Sequence, residues 1–350
     1  MGAIAHPLPT IRFRLRRSLS THLPSPDGQV PLMDRKDVTA LLTVAAFLVA
    51  IAMTVGVVRM ASAAKLNRVN QLLTSRECTR CDLEAVRLNN ADLQDVNLED
   101  AEMSSSQLQD AQLRNANLAR IRLNQAILID ADLRKTLMVD AMMSRTQLNR
   151  ADLRRADLRL AYLGDAILRR ANLEGAHLTD AVMTRADLAQ ANLYNAVLLG
   201  ANLAEANLSR ANLEGADLRR TYLGDASLRE ARLVNAMLQR ASVSRSNVHH
   251  ADLYRADLSE ADFTVADLTY ANLTEATLIR VNFTRADMRW ANLTRANLEE
   301  AALRRADLRY SNLTGANLQG ANLRDAQLDG AILCNTTMAD GTVERRDCLL

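Results

Sequence analysis

The amino-acid sequence predicts an all-β solenoid with one apolar helix ahead of it. Three observations carry that expectation. From Cys81 to Asn335 the chain divides into 51 consecutive five-residue units without slippage, as in Ala151-Asp152-Leu153-Arg154-Arg155 followed by Ala156-Asp157-Leu158-Arg159-Leu160. The third residue of every unit is apolar, Leu in 42 units and Met, Val or Phe in the rest. The first is Ala in 40 units and otherwise small or β-branched. A fixed self-similar period decides the architecture before any local element is assigned.

A period of five suits neither standard element. An α-helix turns about 100° per residue, so a five-residue repeat would smear Leu over every face. A plain strand alternates strictly, whereas the apolar spacing here is two, then three. The pattern fits a short extended piece with its first and third residues inward, followed by a corner. Repeated corners close the chain into coils that stack as a solenoid. Asp, Asn, Arg, Glu, Ser and Gly fill the three remaining positions, which therefore face water.

The A-[DN]-L-x-x run resembles the pentapeptide-repeat family over about three quarters of the chain. That resemblance implies a right-handed quadrilateral β-helix with four of the five-residue units in each coil. The 51 units then make about 13 coils, roughly 60 Å long at the ~4.8 Å spacing of hydrogen-bonded neighbours.

Five segments follow in order: 1–37, 38–58, 59–75, 76–335 and 336–350. The formal net charge of +2 hides a split. Residues 1–75 carry nine Lys/Arg against three Asp/Glu, and residues 76–350 carry 34 against 38. The repeat region is near neutral, which argues against a general nucleic-acid patch. Residues 1–37 hold every proline and the basic cluster Arg12, Arg14, Arg16 and Arg17. They read as a disordered tail. Met33 offers an alternative translation start.

Val38 to Val58 is a run of 21 uncharged residues, long enough as a helix to cross a bilayer core. It reads as a transmembrane helix. A cleavable signal peptide is the alternative, since Ala61-Ser62-Ala63 has the small-x-small form of a cleavage site. Against it, the apolar run exceeds the usual length and Arg59 intervenes. The flanking basic residues place the N-terminus in the cytoplasm and the repeats in a periplasm or lumen. Within 59–75, Ala64 to Ser75 reads as an amphipathic helix with Leu66, Val69, Leu72 and Leu73 on one side. It is placed to cap the first coil, whose open edge would otherwise invite aggregation. A spacer to the membrane is the alternative.

Cys78 and Cys81 form a C-x-x-C at the start of the rod, and Cys334 and Cys348 sit at its end. A single zinc site using all four cysteines would have to bridge the whole rod, and thioredoxin-like chemistry would need an α/β setting. The stretches around both pairs look like the caps of cyanobacterial-type pentapeptide-repeat proteins, in which paired cysteines clamp the ends. The resemblance therefore implies local disulfides, which suit an oxidising compartment.

The repeat has no insertion to form a lid, phosphate loop or substrate cleft. His177, His249 and His250 are outward, and no nucleophile–base–orienter set stands above the repeat background. No catalysis, cofactor, metal or small-molecule substrate is expected. Coil closure over four units stacks His250, Tyr270, Trp290 and Tyr310 in one outward column, the candidate docking face. Arg114, Arg134 and Arg154 stack beside Lys135 and Arg155 as a local basic patch, and Phe263 stacks on Phe283 inside. Glycines such as Gly164, Gly175, Gly200 and Gly215 sit at outward positions, where a corner can need φ > 0. The expected function is that of a non-catalytic, membrane-anchored scaffold for an unidentified protein partner. The alternative is a DNA-mimicking modulator of a type II topoisomerase, as the resemblance allows for soluble, strongly acidic members.

Overall fold

The computed structural model describes residues 63–348. These belong to the second of two compact units, Ala61–Leu350. The leader at 1–37 and the apolar run at 38–58 lie outside the described residues.

The five-residue unit becomes a coil through its backbone donors. In the unit that opens at Ala151, Ala151 and Leu153 point inward and are fully buried. Asp152, between them, makes a parallel bridge to Asn172, four units further along, and the same step joins every unit from Glu77↔Asn97 to Asn317↔Thr337. Four units therefore close one coil, and thirteen such steps separate Glu77 from Thr337. The Leu153 N–H donates to the Asn172 carbonyl (2.7 Å), and the Asn172 N–H donates back to Ala151 (2.9 Å). At the corner, Arg155 N–H reaches the Glu174 carbonyl (3.0 Å) and Ala156 N–H closes the turn on Leu153 (3.0 Å). One donor of each unit is left over, the N–H of the fourth residue. Where the second residue is Asp or Asn, its side chain accepts that N–H: Arg154 N–H donates to Asp152 Oδ1 (3.2 Å). Asp and Asn recur before Leu because a buried or half-buried N–H must find a partner.

The fifth residue of every unit from Arg80 to Asn335 has φ between 53° and 70°. Positive φ at the second central residue alone is the mark of a type II turn. This differs from the expectation that glycine marks such corners. All corners take the left-handed conformation whatever residue they hold, and Gly164, a fourth residue, does not take it. The coil stack imposes the turn, and the ~1–2 kcal/mol that a side chain costs there is offset by the bonds the turn makes.

Ala and Leu from successive coils form one continuous core. Where the first residue is polar, its hydroxyl is captured inside: Thr136 Oγ1 donates to Leu133 (2.7 Å) and Ser246 Oγ to Leu223 (2.6 Å). Phe263 and Phe283 stack within this core at 5.5 Å between centroids.

Helix α1 (63–75) covers the first coil. Leu72 is fully buried and Val69 packs on the core, but Leu66 and Leu73 are 60% and 42% exposed. The apolar side is thus narrower than expected, because a pair three residues apart already fills the small square end of the coil. Arg68 and Arg76 pin the helix to Asp82 (3.2 Å) and Asp92 (2.9 Å). At the other end, strands β1 (Thr336–Thr337) and β2 (Val343–Glu344) pair antiparallel. Cys78 is bonded to Cys81 and Cys334 to Cys348, with Cα separations of 5.3 and 4.6 Å. Leu323 and Leu328 of the last coil remain partly buried.

Candidate interaction surface

Fifth-position side chains stand on the corners, and those one coil apart lie directly over one another. His250, Tyr270, Trp290 and Tyr310 occupy one such corner, each with the left-handed φ of its turn. Their rings stack: His250 on Tyr270 at 4.9 Å and 16°, Tyr270 on Trp290 at 6.2 Å and 3°, Trp290 on Tyr310 at 4.5 Å and 14°. These separations lie in the favourable range for aromatic pairs. The ring faces are spent on one another, while Tyr270, Trp290 and Tyr310 remain 48–50% exposed through their edges and polar tips.

Two neighbours complete the ladder. His249 meets the rings of His250 and Tyr270 edge-on, and its Nδ1 bonds Thr269 Oγ1 at 2.6 Å. Gly330 ends the column, since a Cβ there would come within 2.6 Å of Tyr310 Cδ1. The edge contacts of His249 with His250 and Tyr270 are not column contacts, so the coil spacing does not reveal them. Gly330 is legible in the sequence, lying one coil after Tyr310.

Charge beside the ladder is locally neutralised. Arg289 pairs with Asp287 (2.6 Å) and Asp307 (3.7 Å), and Arg309 pairs with Asp307 (2.6 Å). The hydrogen bond from Arg309, with the charge of Arg289 beyond it, holds the Asp307 carboxyl below its ordinary range. On the opposite flank Thr274 and Thr294 donate to Asn272 and Asn292, and Asn272 donates to Asp252, a polar strip with a single carboxylate. The ladder is therefore an aromatic ridge between an ionic strip and a mainly amide-and-hydroxyl one.

The pentapeptide repeats family model matches residues 81–120, 106–145, 116–155, 156–193, 181–220, 216–255, 226–264, 261–299 and 301–338. The chain belongs to the pentapeptide repeat family. Membership implies a right-handed β-helix, in keeping with the four-cornered coil. Among solved structures it is similar to HetL of the cyanobacterium Nostoc sp. strain PCC 7120, a pentapeptide repeat protein involved in heterocyst differentiation regulation. The two are 32% identical over 79% of this chain and 98% of HetL, with a TM-score of 0.29. A trypsin-treated form of QnrB1, a plasmid-mediated fluoroquinolone resistance protein, is 17% identical over 71% of this chain and 91% of its own, with a TM-score of 0.33. A pentapeptide repeat protein from the Arabidopsis thaliana thylakoid lumen is 30% identical over 28% of this chain and 64% of its own, with a TM-score of 0.16. No curated protein matches the chain.

Other chemistry-bearing residues of this pentapeptide repeat protein are dispersed. His177 lies on a different side of the coil from His249 and His250, its bridge running to Asp157 and Val197. Among the described residues no group of three His, Cys, Asp or Glu is disposed to hold a metal ion. No helix among them is long and apolar enough to cross a membrane.

Proposed function

We propose that the chain is a non-catalytic pentapeptide-repeat rod that docks a protein partner through the His250–Tyr270–Trp290–Tyr310 ridge. The observation carrying this reading is the exposure of three large aromatic side chains in one unbroken column. Exposed Trp and Tyr are the side chains most enriched at binding hot spots, and contiguous apolar surface calls for an explanation that scattered residues do not. Stacking alone stiffens the rod, at about 0.5–1.5 kcal/mol per pair. Substitution separates the two roles. In Trp290→Ala, a docking ridge loses partner recovery in cross-linking pull-downs while the melting temperature moves little. Recovery that tracks the folded fraction, or persists undiminished in a well-folded Trp290→Ala, Tyr310→Ala variant, overturns the docking reading.

The same proposal anchors the chain through residues 38–58, with the N-terminus cytoplasmic and the rod in a periplasm or lumen. The two disulfides support that placement, because such bonds persist in oxidising compartments. A reporter fused after Leu350 tests it, and reporter activity confined to the cytosol would overturn it. The topoisomerase alternative is the second reading; against it, Asp100, Asp130, Asp165, Asp225 and Glu230 are engaged by arginines across the coils, which leaves less bare acidic charge than a DNA mimic calls for.

A further inference from the structure

Elsewhere on the rod the pairing of charges fails. Arg134 and Arg154 each grip the carboxylate two residues before them, Asp132 and Asp152, through Nε and one terminal nitrogen at 2.5–2.9 Å. Arg114 stands in the same column, but its unit has Gln112 where the others have Asp. Its Nε is shielded from solvent and has no hydrogen-bond partner among the described residues. Lys135 and Arg155, on the adjoining corner, have no carboxylate within salt-bridge distance among the described residues. Arg155 lies across Gly175, where a Cβ would meet its Cγ at 3.7 Å.

Arg114, Arg134, Lys135, Arg154 and Arg155 line one cleft of about 180 Å³, with Glu174 its only acidic wall. Counting Asp132 and Asp152 behind the arginines, five cations face three carboxylates. We infer that this cleft is a binding site for a phosphate-class oxyanion. The forks of Arg134 and Arg154 are oriented by their aspartates and keep free N–H groups on the outer edge, which is the geometry that grips tetrahedral oxyanions. Arg114, with no aspartate in its own unit, brings a third guanidinium charge to the same cleft. The column from Arg114 to Arg154 spans two coil steps, about 10 Å. The volume equals that of about six waters, enough for one phosphate or a short chain of phosphoryl groups.

The test is isothermal titration calorimetry of the full-length chain in non-ionic detergent, with inorganic phosphate and with tripolyphosphate. Saturable binding of either one is expected, weakening as sodium chloride rises. Arg114→Gln, Lys135→Gln and Arg155→Gln should each weaken it about tenfold, the loss of one charge-assisted contact. Arg285→Gln, at a cation far along the rod with no carboxylate within salt-bridge distance among the described residues, should leave it unchanged. Glu174→Gln should tighten it and keeps the test open if an arginine variant folds poorly. Absence of saturable heat with both probes at low salt would overturn the site. Binding undiminished in a folded triple variant would do the same.

Discussion

The coil predicts that phase matters more than length. Deleting Arg210 alone removes the left-handed residue of one corner, where Ala211 N–H closes on Leu208 at 3.0 Å. All residues downstream then arrive one step early, and inward Leu exchanges with outward polar side chains. The next coil alone holds Leu213, Leu218, Leu223 and Leu228, all essentially inaccessible to water. At about 1.5–3 kcal/mol for each buried Leu, one misphased coil forfeits roughly 6–12 kcal/mol. That is the whole stability of a typical domain, about 5–15 kcal/mol. Downstream coils should therefore detach, giving loss of β-type circular dichroism, lower soluble yield and proteolysis beyond the deletion. Deleting the complete coil from Ala191 to Arg210 removes many more contacts but rejoins Gln190 to Ala211 in phase. Each coil touches mainly its neighbours, so this variant should stay folded with the C-terminal hairpin intact. Equal damage from both deletions would refute the coil argument.

Two further outcomes follow from the same geometry. Val265 is a β-branched residue at φ 62° and 42% exposed, so Val265→Asn should raise stability by about 1 kcal/mol in a thermal melt. A lowered melting temperature would show that the corner is not strained. Carboxylates paired across and within coils give a pH dependence: hydrogen bonds from Arg210 and then Arg229 hold Glu230 down at about 2, and that from Arg219 lowers Asp217. Folded values below the unfolded ones mean stability that is complete above pH ~4.5 and lost as pH falls toward ~2. A melting temperature that stays level across that interval would contradict these pairings.

How much was legible depended on which position of the unit was read. Ala151 and Leu153 declared themselves through spacing, because burial tolerates few side chains at that separation. Asp152 was visible as a pattern but not as a cause. Its task, accepting the Arg154 N–H, emerges only when the backbone donors of a coil are counted one by one. The corners misled in a useful way. Gly175 and Gly200 suggested that positive φ is a glycine matter, yet Arg155, Tyr270 and Trp290 carry it too. Local propensity is overridden by contacts with the coils on either side. Leu66 and Leu73 escape burial for a related reason. Helical periodicity gives the direction of a side chain, not how much room the capped end has left.

The division of labour within the unit also says where function has to lie. The first and third residues are consumed by the core, and an Asp or Asn at the second by the fourth residue's N–H. The fourth and fifth side chains owe the coil nothing beyond fitting over their counterparts one coil away. Many of the charged ones settle that condition with ion pairs, as Arg185 does with Asp165 (2.8 Å) and Arg255 with Glu275 (2.7 Å). Two places stand apart. From His250 to Tyr310 the column is aromatic and closes on Gly330, and from Arg114 to Arg155 like charges are stacked with too few carboxylates between them. Repulsion between stacked cations is a cost that the fold does not require, since an aspartate at any of these corners would remove it. Aromatic stacking, by contrast, stabilises the rod whether or not anything docks. The cleft is thus the feature whose existence the fold explains least, and the ridge the one whose role only a partner assay can separate from rigidity.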